Sequence, residues 1–210
     1  MEEVKETNRM EAFSDGVFAI AITLLILEIH VPEFTSGQTL LHALSDEWPS
    51  FLALMIGFFT ILICWINHHY MFTMIYRSNS NLLLINGFKL LIVTTTPFAT
   101  ALLAKHIQTD WAPSAIKIYA FNFALMGLAM TGIWCYAHYM GFAKAVTSRV
   151  LIITRRYYIF AAVLSSLIWI VSYYSIVASL CLFVVMFLVF VFPEKMVVWL
   201  LKRSAGYKPA

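Results

Sequence analysis

Long runs of apolar side chains, separated by short polar segments, dominate the pattern along this chain. A membrane-spanning helix needs about 20 consecutive, mostly apolar residues, and the pattern predicts six such spans. They lie at about residues 10–30, 51–72, 83–104, 116–138, 157–172 and 175–192, the last two divided by a tight turn at 172–175. After them, residues 194–203 mix apolar and basic side chains, which predicts an amphipathic helix at the membrane interface.

The composition agrees with this pattern. Of the 210 residues, 61% are hydrophobic and 12% are charged, which excludes an ordinary soluble domain. We therefore predict an all-α integral membrane protein, one domain over residues 1–210, with six transmembrane helices and one repeat. The net charge of +3 is small and scattered, so it indicates no nucleic-acid partner. The lipid bilayer is the expected environment.

The basic residues predict the orientation in the membrane. They concentrate in the segments after spans two and four, at Arg77, Lys144, Arg149, Arg155 and Arg156, whereas the other side carries Lys105 and Lys117. The positive-inside rule then predicts that both termini are cytoplasmic. On the opposite side, residues 28–47 include Glu28, Glu33, Asp46 and Glu47, which would raise the local concentration of cations at an outer mouth.

The first span contains a carboxylate in an unusual place. Between residues 16 and 27 the only polar side chain is Thr23, yet Asp15 precedes this stretch directly. A carboxylate at membrane depth needs a cationic or hydrogen-bonding partner. The candidates are Arg9, Lys89, His68 and His69.

One face of the same span has the pattern of a pore wall. Steps of three and four residues from Gly16 reach Ile20, then Thr23 or Leu24, then Leu27. In a symmetric homo-oligomer this stripe would form apolar rings with a ring of threonine hydroxyls, and such constrictions gate by dewetting. The alternative is a stripe that packs between helices.

Three motifs in order carry a resemblance to a known family. The first is Phe13-Ser14-Asp15 with Arg9 upstream; the second is the Trp65–Phe72 segment with paired His68 and His69; the third is Asn86 followed by Pro97-Phe98-Ala99-Thr100. Together they resemble the signature of the transmembrane protein 175 family of endolysosomal potassium channels, in its prokaryotic single-repeat branch. The resemblance covers about the first half of the chain.

The resemblance implies a homotetramer whose first helices line the pore, in a bacterial or archaeal plasma membrane. It implies pore positions at Ile20, five residues after Asp15, and at Thr23, with further rings at Leu24 and Leu27. It also implies a polar network near the cytoplasmic entry. The residues of the motifs and this network are Arg9, Phe13, Ser14, Asp15, Trp65, His68, His69 and Asn86.

These observations favour passive conduction of potassium or another monovalent cation, without a cofactor or a small-molecule substrate. The alternative is a proton-conducting channel or proton-coupled transporter that uses Asp15 with His68 or His69; a third reading is a non-conducting membrane scaffold. Adjacent histidines point about 100° apart on a helix, so we predict no metal site. No phosphate-binding loop, nucleophile elbow or metalloprotease motif occurs, so we predict no enzyme.

Overall fold

The computed structural model describes residues 6–29, 39–145 and 147–203, without the side chains of Lys202 and Arg203. Within these ranges the secondary structure consists of helices joined by turns and short loops, with an isolated bridge between Ile75 and Ala143. The helices are α1 (Asn8–Leu24), α2 (Leu40–Asp46), α3 (Trp48–Phe72), α4 (Ser80–His106), α5 (Ala112–Tyr139), α6 (Ser148–Val171), α7 (Ile176–Phe190) and α8 (Pro193–Arg203), and a 3₁₀ turn, Leu25–Glu28, extends α1. The all-helical prediction is confirmed. Part of the acidic loop predicted after the first span, residues 30–38, lies outside the described residues.

Five elements are long and apolar enough to cross a membrane: α1 with its 3₁₀ turn, α3, α4, α5 and α6. The shortest has 21 residues, and at about 1.5 Å per residue this length matches a hydrocarbon core of about 30 Å. The last predicted span differs, because α7 has only 15 residues and α8 leaves it at an angle of 77°. Pro193 explains the break, since proline cannot donate a helical hydrogen bond and disfavours helical backbone in the preceding residue.

The polar turn residues act as helix caps. The side chain of Asn79 accepts a hydrogen bond from the Leu82 amide at 3.0 Å, and Ser175 accepts one from the Ala178 amide at 3.2 Å. Each satisfies a backbone N–H that has no partner inside its helix. The short polar segments therefore start α4 and α7 as well as ending the spans before them.

The helix that contains the fifth span begins earlier than its apolar run. The predicted span starts at 157, whereas α6 starts at Ser148, so Arg149, Arg155 and Arg156 lie in its first turns. Hydropathy marks only where a helix enters the apolar core of the membrane. The helix can begin earlier, because arginine is a good helix former. The loop between α5 and α6 is therefore shorter than the basic segment suggested.

One end of the bundle joins three segments that are distant in sequence. The Tyr76 amide donates to the Phe142 carbonyl at 3.1 Å, and the Lys144 amide donates to the Met74 carbonyl at 2.8 Å. Thr7, just before α1, donates to the Ile75 carbonyl. The start of α1, the loop after α3 and the loop after α5 thus lie together, as antiparallel neighbouring helices require.

The most buried part of the bundle lies between α4, α5 and α6, where Trp134, Tyr157 and Tyr158 are almost fully enclosed. In contrast, α1 packs mainly against α3 and α4 among the described helices. In its most apolar window 28% of the residues are buried, compared with 56% in α5. Within one chain, α1 is therefore a peripheral helix with one open face.

Asn67 connects the bent last span to the rest of the bundle. Its amide nitrogen donates to the Phe190 carbonyl at the end of α7 (2.9 Å), and its side-chain oxygen accepts from the Tyr157 hydroxyl (2.7 Å). The Tyr158 hydroxyl donates to its backbone carbonyl. A helix end inside a bilayer leaves carbonyls without water, so Asn67 stabilises the bend by giving one of them a donor.

Candidate functional site

The stripe predicted on the first span is the open face of α1. Ile20 is 61% exposed and Leu27 is 70% exposed, and Thr23 and Leu24 are also exposed. The opposite face packs against α3 and α4 through Ser14, Phe18, Ala21 and Leu25, all buried. The chain therefore holds α1 by one face and leaves the stripe largely exposed.

The hydroxyl of Thr23 is oriented by its own helix. It lies 2.9 Å from the Ile20 carbonyl and 3.1 Å from the Ala19 carbonyl, both of which accept its hydrogen. A hydroxyl that donates still has oxygen lone pairs. Since Thr23 is on the exposed face, its oxygen is available to accept or to coordinate a cation there.

The partner of Asp15 is Trp65, and not any of the four residues that the sequence suggested. The indole Nε1 of Trp65, on α3, donates to Asp15 Oδ1 at 2.9 Å, and the ring of His69 stacks on Trp65. Within the described part of the chain, no basic side chain forms an ion pair with Asp15. Trp65 belongs to the predicted motif, but an indole N–H was not considered as a donor for the carboxylate.

Ser14 and Asn86 are brought together on the buried side of α1. The Asn86 amide on α4 donates to Ser14 Oγ at 2.9 Å, and Ser14 Oγ donates to the Met10 carbonyl at 2.7 Å. The Asn86 side-chain oxygen is buried and has no hydrogen-bond partner among the described residues. These bonds join the motif on the first span to the motif on the third.

His68 forms the second buried contact behind α1, and its partner is Lys89. The Lys89 ammonium lies 3.2 Å from His68 Nδ1 and 4.4 Å from the ring centroid of Phe18, a cation–π distance. Lys89 is completely buried and His68 is 1% exposed. If both were protonated, charges this close would repel by about 5 kcal/mol at an effective dielectric constant of about 20.

The sequence points to Lys89 only as a possible partner for Asp15, whereas in the structure it contacts His68. Lys89 is the one charged residue in the apolar part of the third span. Charged side chains inside spans face the protein interior and mark functional positions, and this signal was available. Arg9 and Phe13, in contrast, are exposed.

The histidine pair diverges as predicted, since His68 is buried and His69 is exposed. Among the described residues, no three His, Cys, Asp or Glu side chains come together as metal ligands would. The threonines before Pro97 bond to their own helix, as predicted: Thr94 donates to Leu91 and Thr95 to Ile92, each at 2.8 Å. They are structural groups of α4.

The fold and this geometry define a helical integral membrane protein in which a peripheral first helix presents an exposed, mostly apolar face. Residues 9–97 match the family described as "Endosomal/lysosomal potassium channel TMEM175". The chain belongs to the TMEM175 family, and the resemblance read from its motifs is confirmed. This is a family of ion channels and not of enzymes.

The similar proteins include prokaryotic and animal channels. The chain is 44% identical over 137 residues to a potassium channel of Chamaesiphon minutus, covering 64% of this chain and 68% of that protein. The crystal structure of a lysosomal potassium-selective channel TMEM175 homolog from the same organism gives a TM-score of 0.76 at 34% identity, over 95% of this chain and 98% of that one. The human endosomal/lysosomal proton channel TMEM175 is 38% identical over 108 residues, 47% of this chain and 21% of that protein.

Proposed function

We propose that this protein is a potassium-permeable cation channel whose pore is lined by the first helices of a homotetramer. One observation carries the proposal. The chain anchors α1 by its polar and aromatic face, and leaves the opposite stripe of Ile20, Thr23, Leu24 and Leu27 exposed along the membrane-spanning length. The names of the similar prokaryotic channels supply the ion.

The oligomer follows from the position of α1. A pore needs a closed ring of walls, and one chain offers a single open helix face at its periphery. Four copies with their α1 stripes turned inwards would bury these apolar side chains against one another. The tetramer rather than another number follows from the resemblance to the family.

Conduction is then passive and depends on dehydration. Ile20, Leu24 and Leu27 form apolar rings that a hydrated ion crosses only with loss of water, and narrow apolar rings close by dewetting. Thr23 contributes a ring of hydroxyl oxygens between them. Potassium is the cargo of this pathway, and its chemistry calls for no cofactor.

The distribution of charge supports an orientation with cytoplasmic termini in a bacterial or archaeal plasma membrane. Arg77 and Lys144 lie in the two loops that meet at the start of α1. At the other end, an open cavity of about 660 Å³ has Glu28, Asp46 and Glu47 in its walls. Basic loops on the cytoplasmic side and carboxylates at the outer mouth agree with the positive-inside rule and with attraction of cations.

Proton conduction is the second candidate, because the human relative is named a proton channel. It would use Asp15 with His68 or His69. Against a relay through both histidines, His68 is enclosed and paired with Lys89, while His69 is exposed and stacks on Trp65. Asp15 is bonded to Trp65 rather than to either histidine.

Flux from purified protein in liposomes tests the two candidates together. Potassium-loaded vesicles report potassium efflux, sodium-loaded vesicles report selectivity, and an internal pH dye reports proton movement. Potassium flux that exceeds sodium flux is the expected result. Proton movement without potassium flux would replace the channel proposal by the second candidate, and no flux of either ion from a folded protein would reject both.

A further inference from the structure

We infer that Lys89 keeps His68 neutral across the physiological pH range, so that the pair behind α1 carries one positive charge rather than two and His68 does not titrate. The inference rests on contacts within one chain. The Lys89 ammonium can only donate, so at 3.2 Å the Nδ1 atom of His68 must be its acceptor. A histidine that accepts at Nδ1 carries its proton on Nε2, which is the neutral tautomer.

Among the described residues, no hydrogen-bond acceptor contacts His68 Nε2 to compensate a second positive charge. His68 lies between the aromatic rings of Phe18 and Phe72, at 5.5 Å and 4.4 Å between centroids, and its Nε2 has no hydrogen-bond acceptor among the described residues. The titratable or charged groups facing the pair from the packed elements are Asp15 on α1, Cys64 and His69 on α3, and Lys89 itself on α4. Asp15 is bonded to Trp65, and among the described residues no carboxylate forms an ion pair with Lys89 or His68.

The position of this charge relates it to the pore. The ammonium lies on Phe18, which faces inwards from the segment of α1 between Asp15 and Ile20. The Lys89 ammonium therefore places one positive charge behind the pore wall. This second step rests on the proposed pore; the protonation state of His68 does not.

Nuclear magnetic resonance of ¹⁵N-histidine-labelled protein in lipid nanodiscs tests the first step directly. H68Q and H69Q variants assign the two imidazoles, and the pH is varied from 5 to 8. We expect His68 to show the neutral tautomer protonated on Nε2 throughout. A titration step for His68 in the wild-type protein, or the opposite tautomer, would overturn the inference.

Two substitutions of Lys89 separate its charge from its packing. K89M removes the charge with a side chain of similar length and should give His68 a titration step within this range; K89R keeps the charge and should leave His68 neutral. In liposomes, potassium flux through K89M should gain a pH dependence that K89M/H68Q lacks. Should His68 stay neutral in folded K89M, Lys89 is not the cause and the inference fails. Vesicles without potassium flux would count against the proposed pore, while the spectra still decide the state of His68.

Discussion

Gly57 lies where α3 meets both α4 and the 3₁₀ turn that extends α1. A Cβ atom at this position would be 2.7 Å from Thr100 Oγ1 and 2.9 Å from a terminal methyl carbon of Leu25, both shorter than ordinary van der Waals contact. The Leu25 methyl can rotate away, but Thr100 is β-branched and its hydroxyl is already bonded to the Thr96 carbonyl. Gly57→Ala should therefore separate α3 from α4 slightly and displace the end of α1.

The expected loss of folding stability in Gly57→Ala follows from the cost of overpacking a well-packed interior, about 1–3 kcal/mol. Each kcal/mol corresponds to roughly 2–4 °C in the midpoint of thermal unfolding at this chain length. Gly57→Ala should thus lower the midpoint by several degrees in one detergent, followed by intrinsic fluorescence. Since Leu25 is the buried residue behind the stripe, potassium flux should fall as well.

Two variants control this experiment. A Cβ on Gly87, in the middle of α4, meets nothing within 4 Å, so Gly87→Ala should leave the midpoint unchanged or raise it, because glycine destabilises a helix interior by about 0.5–1 kcal/mol. Thr100→Ala removes the closest obstructing atoms and should restore part of the stability in the double variant. If Gly57→Ala is as stable as Gly87→Ala, or Thr100→Ala restores nothing, the close approach of α3 and α4 is wrong.

Three further substitutions test the proposed pore and its support. Ile20→Asn should hydrate the constriction and raise conductance or loosen selectivity in liposome recordings, whereas Val163→Asn, an equally exposed site on α6, should not; equal currents from both variants would remove Ile20 from the pore. Asp15→Ala should reduce the yield of assembled protein in gel filtration more than it alters selectivity, and an assembled variant with altered selectivity would contradict a scaffold role. Tyr157→Phe leaves the Asn67 side-chain oxygen without its donor. Because a buried acceptor then loses its partner, the variant should be less stable by about 1–3 kcal/mol in thermal unfolding. An unchanged midpoint would show that the contact is not needed.

Long helices in a membrane are predictable from sequence because the bilayer offers no other partner for backbone groups. Lipid satisfies neither N–H nor C=O, so an apolar run of sufficient length must form a helix. The five long spans and the caps at Asn79 and Ser175 follow from this rule and from local turn chemistry. The start of α6 and the length of α7 did not follow from this rule. Hydropathy does not show where the polar first turns of a helix begin, nor that α7 ends before Pro193.

The stripe on α1 was predictable for the same local reason, because helical periodicity alone puts Ile20, Thr23 and Leu27 on one face. That this face is open in the chain is a tertiary fact, decided by which residues α3 and α4 present to the other side. Periodicity alone does not choose between a pore wall and a packing face, and the sequence favoured the pore wall only through the resemblance of its motifs.

The polar contacts behind α1 needed the tertiary structure most of all. Sequence determined that Asp15 and Lys89 are charged groups in apolar surroundings and that each needs a partner. Which partner each one found depended on the rotation of α3, which turns Trp65 towards Asp15 and His68 towards Lys89. Trp65 and His68 lie about 60° apart around α3, so a rotation by one residue, about 100°, would turn both away from these partners. The rotation is set by packing summed over whole helices, which no local pattern in the chain records.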